Sequence, residues 1–146
     1  MKIGEIYRLA VEKGIEKDPR SKEAVLALLE KEKKLYAELK EDEKKEYDQD
    51  KLFNPYSDTR ILYGDPEREV TRVLAGIDME TAEVLLADRL SAQGKIDLII
   101  AHHPEGKAVA ALYQVMKLQE DVLAKFGVPI NVAEGIMASR MSEVKR

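Results

Sequence analysis

The sequence predicts an α/β fold, a parallel sheet of βαβ units with a helical N-terminal extension. Two observations carry this. From about residue 66 onward, short β-branched apolar runs alternate with longer stretches of helical periodicity. Strand, helix, strand alternation implies right-handed crossovers and parallel strands. Before that point the chain is strongly charged, and its apolar residues recur at helical spacing. The expected division is residues 1–65, a charged helical extension and connector, and residues 66–146, an α/β region.

In the extension, Ile3, Ile6, Tyr7 and Ala10 mark a first helix. Asp18-Pro19 or Ser21 starts a second, as cap and first-turn proline. Val25, Leu28, Leu29, Leu35, Tyr36 and Leu39 form its apolar stripe. Residues 40–50 are nearly all charged and are expected to be a solvated helix end rather than an acidic binding tail. Asn54-Pro55 and Gly64-Asp65-Pro66 are turn signals that bracket a connector.

In the second region, residues 73–77 predict a first strand. Residues 81–93 predict a helix, with Gly94 placed to end it. Residues 96–101 are nearly all apolar, which predicts a strand covered on both faces. Residues 108–126 predict the next helix, ended by Gly127. Residues 128–133 predict a third strand and residues 136–144 a last helix, with Met137 and Met141 on a core face.

Composition narrows the function classes. The 146 residues are enough for one domain with a core. No cysteine is present, which removes a disulfide framework and thiolate-bound zinc. The opening residues lack an apolar signal region, and no window approaches the roughly 20 apolar residues of a membrane helix. A cytoplasmic protein with no membrane partner is therefore expected. Net charge is -4, no dense basic patch exists and tryptophan is absent, so nucleic acid is not the expected ligand.

Ligands of open parallel sheets bind beyond the carboxyl ends of the strands. The three predicted strands end at Asp78, at His102-His103 and at Glu134. Adjacent strands lie about 4.8 Å apart, so side chains at their ends can converge. Two imidazoles and two carboxylates suit a divalent transition metal, with zinc, iron, manganese and nickel not distinguished. Neighbouring side chains of a regular strand point to opposite faces. The two histidines reach one place only if the chain turns there, and Pro104 supports a strand ending at that point. Alternatively each histidine binds one of two metals, and a pair about 3.5–4 Å apart suits hydrolysis.

Each of these residues also has a plainer role. The histidines can lie on the surface without a ligand. Asp78 can cap the helix that begins near Met79, its more usual role. Glu134 can favour the amino end of the last helix through the helix dipole. Glu105 is expected to face water. Gly106-Lys107 at a helix start can hold phosphate or sulfate, although no phosphate-loop motif is present. Ser139 and Ser142 have no nearby histidine in sequence for a triad, and no catalytic residue is assigned.

The segment Val73-Leu74-Ala75-Gly76-Ile77-Asp78, a helix, and then Asp97-Leu98-Ile99-Ile100-Ala101-His102-His103-Pro104 resembles the interacting-factor-three-like family. That family is also described as dinuclear metal-centre proteins or type-two homologues of GTP cyclohydrolase I. The resemblance is clearest over residues 72–104, and His-His-Pro after an apolar strand is its most specific feature. The charged front and the connector from Asn54 to Asp65 look like a longer bacterial branch. The resemblance implies a two-metal site in a ring-like homo-oligomer, with His102 and His103 as metal ligands. It implies a metal-dependent hydrolase-like protein acting on a small or nucleotide-like substrate. The alternative is an interaction or assembly module with a structural or vestigial metal. The family's remaining ligands lie further along, yet this chain has two histidines in all. Residues 66–146 are therefore expected to be the first part of a larger metal-binding domain, with an incomplete site. Asp78 and Glu134 stand as candidates on geometry alone.

Overall fold

The computed structural model describes residues 1–145. Four short or long helical segments come first: α1 (Ile3–Lys17), α2 (Lys22–Glu38), α3 (Glu41–Glu46) and a 3-10 turn over Gln49–Leu52. Then follow β1 (Val73–Gly76), α4 (Thr81–Ala92), β2 (Leu98–Ala101), α5 (Lys107–Val115), α6 (Lys117–Lys125) and α7 (Ile130–Val144). The chain is thus a mixed helix and strand protein, mostly helical, with a small parallel sheet. Among the described residues no helix is long and apolar enough to cross a membrane.

The first core forms where α1 and α2 face each other. Val11 and Ile15 lie one turn apart on α1, Val25 and Leu29 one turn apart on α2, and the four pack together with Tyr7 and Tyr56 against them. The buried stripe on α2 is narrower than its sequence predicts, because Leu28 and Leu35 stay in solvent. Ser21 is the α2 cap, its hydroxyl accepting from the Ala24 amide. The charged stretch that follows is α3, which has no buried residue and carries Glu41–Lys44 and Asp42–Lys45 pairs. Such exposed pairs contribute little to stability.

The connector is pinned by polar contacts. The buried Asn54 amide donates to the Tyr7 hydroxyl at 2.7 Å and to the Thr59 carbonyl at 2.8 Å, while its oxygen accepts from the Tyr56 amide. Tyr7 donates in turn to Asp50, and the buried Arg60 guanidinium bridges Asp48 and Asp50. Burial first, with the Asp50 charge adding to it, pushes the Tyr7 hydroxyl up to about 12.

The extension is docked onto the rest of the chain from both sides. The Ile3 and Gly4 amides donate to the Arg68 and Pro66 carbonyls. At the other end, the Ser57 hydroxyl donates to the Ala111 carbonyl of α5, and Lys125 of α6 donates to the Pro19 carbonyl. Arg20 holds Asp18 and reaches Asp121 of α6.

β1 and β2 pair in parallel, from Val73 opposite Leu98 to Gly76 opposite Ala101, with α4 as the crossover. Asp97 locks the entry of both strands. Its carboxylate accepts from the amide and hydroxyl of Thr71 and from the amide and guanidinium of Arg72. α4 ends as expected at Gly94, whose φ of 67° lets its amide reach the Ser91 carbonyl and that of Lys95 the Leu90 carbonyl. This is the paired bonding that closes a helix on a left-handed residue.

Three expectations are corrected. Residues 128–133 form no strand, so the sheet has two strands and not three. Val128, Ile130 and Val132 alternate like a strand, but Gly127 at φ 92° closes α6 with bonds from Gly127 to Ala124 and from Val128 to Leu123. Pro129 then stands before α7, where a missing N–H costs nothing. Ala133 and Met137, one turn apart, are buried as α7 packs back on α6 and α5. The helix expected over 108–126 is broken at Met116 into α5 and α6. β2 is not covered on both faces, since Ile100 is exposed, as is Val73 on the paired strand.

Candidate functional site

The carboxyl edge of the sheet is built by backbone bonds that continue past the strands. The His102 amide donates to the Gly76 carbonyl and the His103 amide to the Ile77 carbonyl, both at 2.9 Å. In a regular strand consecutive amides point to opposite sides, so two in succession cannot bond the same neighbour. The chain therefore rotates at His102-His103. That rotation puts both imidazoles on one side, with ring centroids 5.3 Å apart and planes tilted by 33°. The turn that adjacent histidines need to reach one place is present, just before Pro104.

β1 supplies the third group. Asp78 follows Ile77 out of the strand, and its Oδ1 lies 2.7 Å from Nδ1 of His103. Asp78 does not cap α4, its more usual expected role. The helix begins at Thr81 after Glu80, whose amide donates to the Glu83 carboxylate. The Asp78 carboxylate is left for His103. Both side chains are more than half exposed, so their attraction is screened and the hydrogen bond supplies orientation more than stability.

Glu134 stands elsewhere. With no third strand, it lies in the second turn of α7 and not at a strand end. Among the described residues no three histidine, aspartate or glutamate side chains come together as a set able to hold a metal ion. The corner thus offers two imidazoles, one of them tied to a carboxylate. Two imidazoles are fewer than the four or more ligands that a divalent transition metal takes. Beside it, Met79, Glu80, Thr81, Val84, Leu85, Asp88 and Glu105 line a wide, open depression. Glu105 is half-buried in that wall rather than facing water freely.

Sequence reasoning missed the role of Asp97. Its signal was available as an acidic residue directly before an apolar strand, but its five backbone and side-chain donor atoms come from Thr71 and Arg72, across the sheet. The chain matches no protein-family model, no curated protein and no solved structure. The residues themselves carry the functional reading.

Proposed function

We propose that this protein binds a divalent transition metal at His102 and His103 and acts as a metal-dependent hydrolase-like protein. The zinc, manganese, iron or nickel ion would be held in a site that this chain completes only in part. The single observation in support is the pair of adjacent imidazoles turned to one side at the carboxyl edge of a parallel sheet, with Asp78 against one of them. This is the edge where open α/β sheets hold ligands. A bound ion supplies Lewis acidity and lowers the pKa of water. The open depression beside the corner would receive a small or nucleotide-like substrate. The resemblance to the interacting-factor-three-like family supports the same reading, including a second metal, a larger sheet and a homo-oligomer. Glu134 would join the site only through another copy or a rearrangement.

A second reading has its own support. Val84, Leu85 and Leu86 of α4 are half exposed, as are Ile77 and Val73 of the sheet. Such apolar surface favours an interaction or assembly module in which the metal site is structural or vestigial. Elemental analysis of the purified protein tests the metal first, and phosphoesterase and nucleotide-hydrolase screens with added manganese or zinc then separate the two readings. Metal with turnover supports the hydrolase; metal without turnover supports the assembly module. A wild type holding no more metal than His102→Ala/His103→Ala removes the metal reading and leaves an assembly module with a vestigial site.

A further inference from the structure

We propose that Asp78 is a positioning residue and not a metal ligand: it holds His103 as the Nδ1–H tautomer, so that His103 presents Nε2 alone to a ligand. The inference rests on the metal reading for its purpose, but its geometry stands without it. An ionised carboxylate only accepts hydrogen bonds. At 2.7 Å from Asp78, Nδ1 of His103 must therefore carry the proton and donate it. The lone pair of a neutral ring is then on Nε2, the nitrogen farthest from the carboxylate. A carboxylate or carbonyl on the second nitrogen is the usual partner of a metal-binding imidazole, fixing its tautomer and raising its basicity.

Backbone geometry makes this pairing specific to His103. The amide of His103 is bonded to Ile77, the residue directly before Asp78, whereas that of His102 is bonded one residue earlier, to Gly76. The register of the two strand ends thus sets the Asp78 side chain opposite His103. One consequence follows for the site. The Asp78 carboxylate sits at Nδ1, across the ring from Nε2, so a ligand held at Nε2 of His103 would draw its further groups from elsewhere than Asp78.

The test has two readouts. The first is nitrogen-15 NMR of the imidazoles in metal-free protein, in mildly alkaline buffer, for wild type and Asp78→Ala. The expected result is a His103 fixed as Nδ1–H in the wild type and a mixture favouring Nε2–H in the variant. A wild-type His103 that carries its proton on Nε2, or a tautomer unchanged by Asp78→Ala, overturns the proposal whatever the metal does. The second readout is zinc affinity of Asp78→Ala and Asp78→Asn. An asparagine carbonyl still accepts from Nδ1–H but is a poor metal ligand. A positioning role gives near-wild-type affinity for Asp78→Asn and a loss of about 10–100-fold for Asp78→Ala. Equal and severe loss in both variants makes Asp78 a ligand and overturns the proposal. A wild type that takes up no zinc at all removes the proposed function, while the tautomer result still decides the role of Asp78 on His103.

Discussion

The Asp78 carboxylate meets Nδ1 of His103 at 2.7 Å although 25 residues separate them in the chain. Parallel pairing creates that meeting. β1 and β2 leave the sheet on the same edge and in a fixed register, so a residue one step past Ile77 faces a residue two steps past Ala101. The opposite edge is held by a second long-range carboxylate, Asp97 on Thr71 and Arg72. The short sheet is therefore clamped at its entry and used at its exit.

The entry clamp makes the fold acid-sensitive. The Arg72 guanidinium first, and the Thr71 amide and hydroxyl after it, hold the Asp97 carboxyl well below the usual carboxylate range. A depressed folded pKa contributes stability above the unfolded value of about 3.9 and loses it as pH falls further, through the folded value. Thermal unfolding followed from neutral to strongly acidic pH is expected to show a falling midpoint below pH ~4. Asp97→Asn should lower the neutral-pH midpoint by a few degrees and flatten that acid limb. An unchanged acid limb would remove Asp97 from the explanation.

The α1–α2 core should be the most costly place to leave a hole. Leu29 is buried against Val11, Ile15 and Val25. Leu29→Ala is expected to destabilise the chain by roughly 2–5 kcal/mol in chemical denaturation. Leu28→Ala, one residue earlier but in solvent, should change stability by less than about 0.5 kcal/mol.

Asn54 should behave as a polar keystone. Its amide satisfies Tyr7, Thr59 and Tyr56 in a site from which water is excluded. Asn54→Ala leaves the Thr59 carbonyl and the Tyr56 amide unpaired while Tyr7 keeps its bond to Asp50, at about 1–3 kcal/mol for each group left buried and unsatisfied. Denaturant midpoints for Asn54→Ala and Asn54→Asp measure it, and near-wild-type stability in both would show that the connector is held by other contacts.

Alkaline pH should loosen the same region. The Tyr7 hydroxyl is pushed up to about 12, and that of Tyr56 is raised as well, by burial and then by the Asp18 carboxylate. A raised folded pKa leaves its stability intact below the unfolded tyrosine value of about 10, and that stability is lost as pH climbs through the folded one. Phenolate absorbance of Tyr7 and Tyr56, taken as the difference between wild type and Tyr7→Phe/Tyr56→Phe and followed together with circular dichroism, is expected to show their ionisation and unfolding in one step. Ionisation at the ordinary tyrosine value with the helices intact would contradict it.

The exposed apolar residues of α4 and the sheet predict self-association. Light scattering after size exclusion should find a homo-oligomer, and Leu85→Asp should shift it towards smaller species. A clean monomer at high concentration would count against the oligomer.

Much of the fold was legible because its signals are local. The glycine closing α4, the serine opening α2 and the Val25 and Leu29 pair of the first core are read within a few residues, whereas Val11 and Ile15 of α1 were not singled out. The third strand was misread because a β-branched alternation over Val128, Ile130 and Val132 outweighed, on paper, the Ala133 and Met137 spacing that packing selects. The site was legible in part. An apolar strand ending in His102-His103 announced itself, and the need for a chain turn there follows from side-chain alternation alone. What the sequence could not convey was pairing across the sheet. Asp78 was placed at a strand end from which it could meet the histidines, with a helix cap as its more usual role, and strand register decides for His103. Glu134 was placed at a strand end that does not form, because its position depended on the misread strand.

Metal binding by the histidine corner is most directly measured by zinc titration of metal-stripped protein, wild type beside His102→Ala/His103→Ala. Both histidines are exposed, so the double variant should fold as the wild type does. The expected result is saturable zinc uptake by the wild type that the double variant loses. Equal uptake by both, or none by either, would contradict a metal site at His102 and His103.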